Sequence, residues 1–311
     1  MNILITGGAG FIGSNLIRRL MNGNKIICVD KLIFGNSNIK YLLGHDDFKF
    51  YEIDAANEQA LDKVFEENSI DMVYHLAANS DIRKGALNPA IDFNDTFLTT
   101  KVVLDVMRRH NVKNLFFSST SAVYGEKNEL LNENTPGLSP VSYYGGAKLA
   151  SEALISSYAA MCDMNVMIFR FPNVIGPSLT HGVIFDFINK LKNNPNELEI
   201  LGNGLQCKPY IYVTDLIDAI TRMTKYIEPG VDIYNISVLG NGTTVNEIAD
   251  IVVEEMKLKN VNYKYSGSDR GWKGDVPKFS YDITKILSTG WEPKYNSNEA
   301  VRKTVKDVLG E

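Results

Sequence analysis

A glycine-rich segment follows directly after the first apolar run of the chain, and no other feature restricts the fold more. The run from Asn2 to Ile5 is typical of a buried β-strand, and the sequence TGGAGFIG follows it at positions 6–13. Leu16, Ile17 and Leu20 then recur at helical spacing. A strand, a glycine loop and an amphipathic helix in this order predict the start of a doubly wound α/β fold.

The glycines of this loop also predict a ligand. Gly7 permits a tight turn, Gly10 lets the backbone approach a pyrophosphate, and Gly13 allows the helix to pack closely on the strand. The free amides at the start of the helix, around Phe11 and Ile12, would face the phosphates of a dinucleotide. Because such a glycine pattern also occurs in structural loops, a ligand is indicated only if the ends of the other strands carry matching residues.

Short β-rich runs alternate with helical patterns through the first half of the chain, which predicts a Rossmann-type parallel sheet covered by helices on both faces. The predicted strands are Asn2 to Ile5, Lys25 to Asp30, Phe48 to Ile53, Asp71 to Leu76, Asn114 to Ser119 and Asn165 to Arg170. The alternation stops after Pro177. We therefore expect a dinucleotide-binding domain at 1–175, to which the segment 210–238 returns, and a smaller, interleaved substrate-binding lobe at 176–311.

Acidic and small residues follow the next predicted strands at their carboxyl ends, where a dinucleotide lies in an open parallel sheet. Asp30 ends the second strand, seventeen positions after Gly13, and its carboxylate can accept hydrogen bonds from an adenosine ribose. A carboxylate at this position also repels a 2′-phosphate, so the sequence favours NAD over NADP. The other residues predicted to lie along the cofactor are Asp54, Ala55, Leu76, Ala77 and Ala78.

Tyr144 and Lys148 are four positions apart in a predicted helix, so both lie on one face of it. The lysine ammonium can lower the pKa of the tyrosine from its usual value of about 10, which makes the phenolate usable as a general base. The hydroxyl-rich segment SSTS at 118–121 follows the fifth strand and supplies a donor for a substrate hydroxyl. Together with the glycine loop, these residues predict proton removal coupled to hydride transfer.

The motifs TGGAGFIG, HLAA, SSTSAVYG, YYGGAK and FRFPNVIGP resemble those of the sugar-nucleotide epimerase/dehydratase family, a group of extended short-chain dehydrogenases. The resemblance covers nearly the whole chain. It implies a tightly held NAD, with Tyr144 as the catalytic base, Lys148 bound to the nicotinamide ribose and Thr120 as the hydroxyl partner. It also implies that Ser118 lies beside the cofactor.

The resemblance further implies substrate-binding residues in the second half of the chain. They are Asn173 and Arg270 at the diphosphate, Val183 and Ile184 beside the nucleotide base, Asp275 at the ribose, and Lys208, where relatives usually carry an arginine. Lys31 and Thr96 are two further departures, since relatives often carry asparagine at both positions. Lys31 and Lys208 could instead be solvated surface charges.

The residues after the serine run distinguish members of this family. Dehydratases carry a segment like Thr-Asp-Glu there and nucleotide-sugar decarboxylases one like Thr-Ser-Glu, whereas this chain has Thr120, Ser121 and Ala122. The missing acid favours 4-epimerisation of a nucleotide sugar through a transient 4-keto intermediate, with UDP-glucose and UDP-galactose or a related UDP-hexose as substrates. The alternatives are a UDP-glucuronate decarboxylase or nucleotide-sugar 4,6-dehydratase, a carbonyl reductase, and a non-catalytic NAD-sensing protein.

Composition argues against several other classes of function. The formal charge is −5, so no broad basic surface is expected for nucleic acid or anionic lipid. Cys28, Cys162 and Cys207 lie far apart, and we expect reduced thiols and no metal. No apolar run is long enough to span a membrane, which favours a cytoplasmic protein. By resemblance, we expect a homodimer formed through the helices at Pro89 to Asn111 and Tyr143 to Met161.

Overall fold

The computed structural model describes residues 1–127, 129–179, 181–267, 276 and 278–310. All six strands predicted for the first half are present, and each begins and ends within one residue of the expected bounds. In chain order, the elements of this half are β1 (Asn2–Thr6), α1 (Phe11–Leu20), β2 (Lys25–Asp30), β3 (Phe48–Glu52), α2 (Glu58–Glu67), β4 (Met72–His75), α3 (Ile82–Leu87), α4 (Pro89–Asp92), α5 (Thr99–Arg109), β5 (Asn114–Thr120), α6 (Tyr143–Cys162) and β6 (Asn165–Phe171).

The second half contains shorter strands between its helices. Its elements are β7 (Asn173–Ile175), α7 (Val183–Asn193), β8 (Glu197–Ile200), β9 (Cys207–Lys208), β10 (Tyr210–Tyr212), α8 (Val213–Met223), β11 (Gly230–Asn235), β12 (Thr243–Thr244), α9 (Val245–Glu255), β13 (Asn262–Tyr265), α10 (Thr284–Leu287) and α11 (Ser297–Leu309).

The central sheet has seven strands in the order β11-β6-β5-β4-β1-β2-β3. β1 pairs in parallel with both β2 and β4, and parallel pairing continues outward to β3 on one side and β5 on the other. The strand order therefore reverses between β1 and β4, which creates a crevice at their carboxyl ends. The predicted Rossmann-type fold is confirmed.

The strands of this sheet are apolar without alternation because helices cover both of its faces. Leu4, Val29, Val73, Leu115 and Ile168 come from five different strands, and each has 0% of its surface exposed. They belong to one continuous core. Truncating such a side chain to alanine typically lowers the free energy of unfolding by about 2–5 kcal/mol. The strands are therefore firmly packed, and the loops that leave their ends start from fixed positions.

The helical run predicted from Pro89 to Asn111 has an irregular middle. Asn88 caps α4 by accepting a hydrogen bond from the Ala90 amide at 3.2 Å, and the residues Phe93–Leu98 then form a π-helical segment before α5 begins. A π-turn contains an extra residue and rotates the side chains relative to a regular helix. The periodicity of the sequence did not predict this segment, which carries Asp95 and Thr96.

The chain divides into two compact units, each built from separate stretches. The first unit comprises residues 1–125, 137–170 and 217–234 and contains the central sheet almost completely. The second unit comprises 126–136, 171–216 and 235–311. In the second unit β7 pairs with β10, β8 with β13 and β9 with β12, and α9 packs against both α7 and α11.

Candidate active site

The loop between β1 and α1 is closed against the end of β4. Gly7 has a φ of +70°, and a Cβ atom at this position would lie 2.8 Å from the Ala77 amide nitrogen. A Cβ at Gly13 would overlap the Gly7 carbonyl oxygen. Gly10 is the N-cap of α1 and has no side chain with which to cap the first-turn amides of Phe11 and Ile12. These amides are suited to a pyrophosphate, so the loop fits a dinucleotide.

Asp30 connects the end of β2 to the glycine loop. Its carboxylate accepts hydrogen bonds from the Ala9 amide at 3.0 Å and from the Leu32 amide at 2.8 Å. Burial raises the pKa of Asp30, and these backbone hydrogen bonds partly oppose that effect. The predicted ribose ligand is therefore held rigidly at the carboxyl end of its strand.

Lys31 is not a solvated surface charge. Its ammonium donates to Asp54 at 3.2 Å and to Asp95 at 2.8 Å, so it joins the end of β3 to the π-helical segment. Burial lowers the pKa of Lys31, but the hydrogen bonds that its ammonium donates to both carboxylates outweigh burial and raise it overall. Asp54, predicted to contact the cofactor, is thus partly engaged within the protein, while Ala55 beside it is buried.

The end of β4 is fixed by His75. Its two ring nitrogens contact the hydroxyls of Thr6 at 2.7 Å and Thr100 at 3.0 Å, and the Ala77 amide donates to the same Thr6 hydroxyl at 3.3 Å. Burial, assisted by the charge of Lys148, lowers the pKa of His75 to about 3. His75 is thus a neutral residue that positions Leu76, Ala77 and Ala78 beside Gly7.

Tyr144 and Lys148 lie in the first turns of α6, where Ser142 caps the helix by accepting from the Gly145 amide at 3.1 Å. Burial raises the pKa of Tyr144 to about 12, although its hydrogen bond with Thr120 lowers it. The sequence analysis expects Lys148 to lower the pKa of Tyr144, but in this structure, which holds no cofactor, burial has the larger effect and the pKa rises. The reason is that the Lys148 ammonium donates to the Ser118 carbonyl oxygen at 2.6 Å and lies 4.7 Å above the Phe117 ring.

Burial lowers the pKa of Lys148 itself to about 7, and the negative charge of Glu152 opposes this effect. Ser118 is held from a second side, because its hydroxyl donates to the His75 carbonyl oxygen at 3.2 Å. The structure therefore brings Ser118, Thr120, Tyr144 and Lys148 together at the end of β5, as the sequence predicts. Their roles in catalysis stay predictions.

A buried polar network behind these residues was not predicted from the sequence. Arg170 on β6 donates to Glu152 at 2.6 Å and to the Tyr124 hydroxyl at 3.1 Å, and Glu152 also accepts from Ser119. Arg170 and Glu152 are 3% and 4% exposed. Glu152 lies four positions after Lys148 on α6, and this spacing was the one available signal that it shares a helix face with Tyr144 and Lys148.

Asp92 at the end of α4 is a second feature that the sequence analysis missed. One carboxylate oxygen accepts from the Asn79 side chain at 2.8 Å, and the other has no hydrogen-bond partner among the described residues. Burial raises the pKa of Asp92, and its charge in turn raises the pKa of Tyr144. A carboxylate therefore acts electrostatically on the predicted base.

The predicted substrate residues that the structure describes belong to the second unit. Asn173 is exposed in β7, Val183 begins α7, Ile184 is 1% exposed, and Lys208 lies in β9 opposite Thr243. The predicted ligands Arg270 and Asp275 lie outside the described residues. The sequence prediction thus distributes catalytic and substrate-binding residues over two units.

A parallel sheet with a glycine loop after β1 and a tyrosine–lysine pair on α6 defines a dinucleotide-binding enzyme of the short-chain dehydrogenase class. The chain belongs to the NAD-dependent epimerase/dehydratase family, whose family model matches residues 3–237. The predicted family and its NAD cofactor are thereby confirmed.

Individual relatives match over nearly the full length. A protein of Methanocaldococcus jannaschii provisionally named UDP-glucose 4-epimerase is 33% identical, with 97% of each chain covered. The UDP-glucuronate 4-epimerase of Thermodesulfobacterium geofontis is 30% identical over 97% of this chain and 94% of its own. The crystal structure of UDP-glucose 4-epimerase from Thermotoga maritima with UDP-glucose is 31% identical, covers 100% and 99% of the two chains, and has a TM-score of 0.88.

Among the described residues, no helix combines the length and the apolar character that crossing a lipid bilayer requires.

Proposed function

We propose that the protein interconverts 4-epimers of a UDP-linked sugar, with UDP-glucose and UDP-galactose as the favoured pair. The observation that carries this proposal is the hydrogen bond between Tyr144 and Thr120, with Lys148 one turn further along α6. These residues lie in the unit that also contains the NAD-binding loop. The names of the relatives support a 4-epimerase reaction.

Tyr144 accepts the proton of the sugar 4-hydroxyl, and Thr120 holds that hydroxyl by a hydrogen bond. When bound, NAD would accept the hydride that leaves C4 and would supply it again for return to the opposite face of the 4-keto sugar. Tyr144 then gives its proton back to the oxygen. Two electrons leave the sugar and two return, so there is no net oxidation. Lys148 lies one turn further along the same face of α6, and its ammonium donates to the Ser118 carbonyl oxygen.

The turn after Thr120 supports epimerisation over loss of water or carbon dioxide. Residues Ser121–Tyr124 form a 3₁₀ turn without an acidic side chain, and the Thr120 hydroxyl accepts from the Ala122 amide at 3.2 Å. The Ala122 carbonyl packs so closely on α6 that a Cβ at Gly145 would lie 2.6 Å from its oxygen. A second acid for further proton transfers is therefore not provided by this turn.

The second unit is proposed to bind the nucleotide diphosphate through Asn173, Lys208 and Arg270, with Val183 and Ile184 at the base and Asp275 at the ribose. This division gives the first unit the role of NAD-binding domain. Binding through the diphosphate leaves the sugar free to turn between the two hydride transfers.

A cytoplasmic location is proposed as well, because the three cysteines are free thiols.

The homodimer is proposed to form through α5 and α6 together with the helical segment that precedes α5. Exposed apolar side chains on these elements support it, since Phe93 is 55%, Tyr143 is 56% and Met161 is 83% exposed. Light scattering at micromolar concentration tests this proposal. A monomeric mass contradicts it, and a dimer that dissociates in Phe93→Glu supports it.

The reaction is tested by incubating the purified protein separately with UDP-glucose, UDP-N-acetylglucosamine, UDP-glucuronate and UDP-arabinose, and by following the products by NMR. Formation of UDP-galactose from UDP-glucose is the expected result. Conversion of another sugar to its 4-epimer keeps the reaction and corrects the substrate. Release of water or carbon dioxide makes the protein a dehydratase or decarboxylase. No conversion with any sugar, even with NAD added, contradicts the proposal.

A further inference from the structure

The position of Lys31 raises a question about cofactor selectivity. A basic residue near the end of the second strand is the usual ligand of the 2′-phosphate of NADP, whereas an acid there suits the ribose of NAD. This chain has both, since Asp30 ends β2 and Lys31 follows it directly. The sequence by itself therefore contains one feature for each cofactor.

The surroundings of the Lys31 ammonium resolve this conflict. Asp95 lies 2.8 Å from it and Asp54 lies 3.2 Å from it, so two carboxylates compete with any phosphate for the same ammonium. Asp30 adds a third carboxylate close enough for the charge of Lys31 to lower its pKa, so negative charges outnumber the single ammonium here. The electrostatic potential at this end of the sheet is therefore negative, and it disfavours binding of a dianionic phosphate group.

Both partners of Lys31 belong to anchored segments of the chain. The other oxygen of Asp54 accepts from the Ala56 amide at 2.9 Å, which fixes the carboxylate at the end of β3. Asp95 belongs to the π-helical segment, which is anchored where the Thr96 hydroxyl accepts from the Asn79 amide at 3.1 Å. Releasing the ammonium toward a ligand would thus break two ion pairs whose acceptors cannot easily follow it.

We propose that Asp54 and Asp95 sequester the Lys31 ammonium and thereby exclude NADP, so that these three residues determine cofactor selectivity together with Asp30. Lys31 is a potential phosphate ligand whose ammonium two carboxylates keep occupied. The π-helical segment contributes to selectivity because it presents Asp95 to Lys31.

The test is a binding titration of NAD and NADP on nucleotide-free protein, with the ratio of the two dissociation constants as the readout. The variant Asp54→Asn/Asp95→Asn removes both negative charges and keeps the shapes of the side chains. Its preference for NAD over NADP is expected to fall by about tenfold or more, because the ammonium becomes available to the phosphate. Adding Lys31→Gln to this double variant should abolish the gain in NADP affinity.

Asp62→Asn is the matched control, because Asp62 is also a carboxylate in a partly exposed ion pair, with Arg109, but lies on α2. The ratio should not change in this variant. An unchanged ratio in Asp54→Asn/Asp95→Asn, or wild-type protein that binds both nucleotides equally, overturns the proposal. If the double variant unfolds, the single variant Asp95→Asn replaces it in the test. Its preference for NAD over NADP should then fall by a smaller factor. Because no sugar or turnover is required, this result is independent of whether the proposed epimerisation is correct.

Discussion

The two ends of the cofactor-binding edge in the first unit both contain ion pairs, but in opposite environments. At the end predicted to bind the adenosine, Lys31, Asp54 and Asp95 have side chains that are 31%, 43% and 25% exposed. At the end predicted to be catalytic, Arg170 and Glu152 have side chains that are 4% and 5% exposed. Water screens the first group and not the second, so we expect the first to select a ligand and the second to hold the fold.

The largest effect is expected at Tyr144. Replacing it in Tyr144→Phe removes only the phenolic oxygen, so the rate should fall by about a hundredfold to ten-thousandfold while NAD remains bound. Turnover of UDP-glucose and retained nucleotide absorbance provide the two measurements. Tyr143→Phe is the control, since Tyr143 is exposed and outside the predicted pair. Wild-type turnover in Tyr144→Phe would show that another group is the base.

The largest loss of stability is expected from breaking the buried ion pair between Arg170 and Glu152. Arg170→Met leaves the Glu152 carboxylate buried without its partner, and we expect a loss of about 3–5 kcal/mol in the free energy of unfolding, measured in urea. Glu152→Leu combined with Arg170→Met removes both charges and should recover part of this loss. If Arg170→Met is as stable as the parent protein, the buried ion pair does not stabilise the fold more than the partly exposed one.

Lys148 should make stability depend on pH. Burial lowers its pKa to about 7 in the folded protein, whereas the ordinary value is 10.5. Between these values the unfolded chain binds more protons, so stability should rise as the pH increases from about 7 toward about 10. Unfolding of nucleotide-free protein at several pH values tests this, and Lys148→Met should show a smaller slope. Equal slopes would argue against a depressed pKa.

A smaller effect is expected from Asp92. Its charge raises the pKa of Tyr144, so Asp92→Asn should lower that pKa and move the acidic limb of the kcat/KM profile to lower pH. The Asn79 hydrogen bond can be kept by the new amide oxygen. An unchanged profile would mean that Asp92 acts only on packing.

The smallest change in stability is expected at the adenosine end. Asp95→Asn removes an ion pair that is still partly hydrated, so the free energy of unfolding should change by about 1 kcal/mol or less. Urea unfolding under the conditions used for Arg170→Met gives a direct comparison. If Asp95→Asn loses as much free energy of unfolding as Arg170→Met, the two ion-pair groups do not differ in their contribution to stability.

The sequence by itself determined the sheet and the residues at its carboxyl edge. The apolar runs predicted six strands to within one residue, and the glycine loop together with Asp30 predicted the NAD cofactor that the family confirms. The spacing of Tyr144 and Lys148 placed both on one helical face, because helix periodicity is a local property. Such local patterns predict the folded structure correctly when the periodicity of the sequence and the burial in the fold favour the same element.

Only the tertiary structure decided which distant charges meet. Arg170 and Glu152 are eighteen positions apart on β6 and α6, and Lys31 and Asp95 are sixty-four apart, so no spacing rule connects them. The sign of the Tyr144 pKa shift was also decided there. Lys148 is adjacent to Tyr144 in the helical pattern, but its ammonium is turned to the Ser118 carbonyl, and desolvation then outweighs the attraction that the spacing suggests.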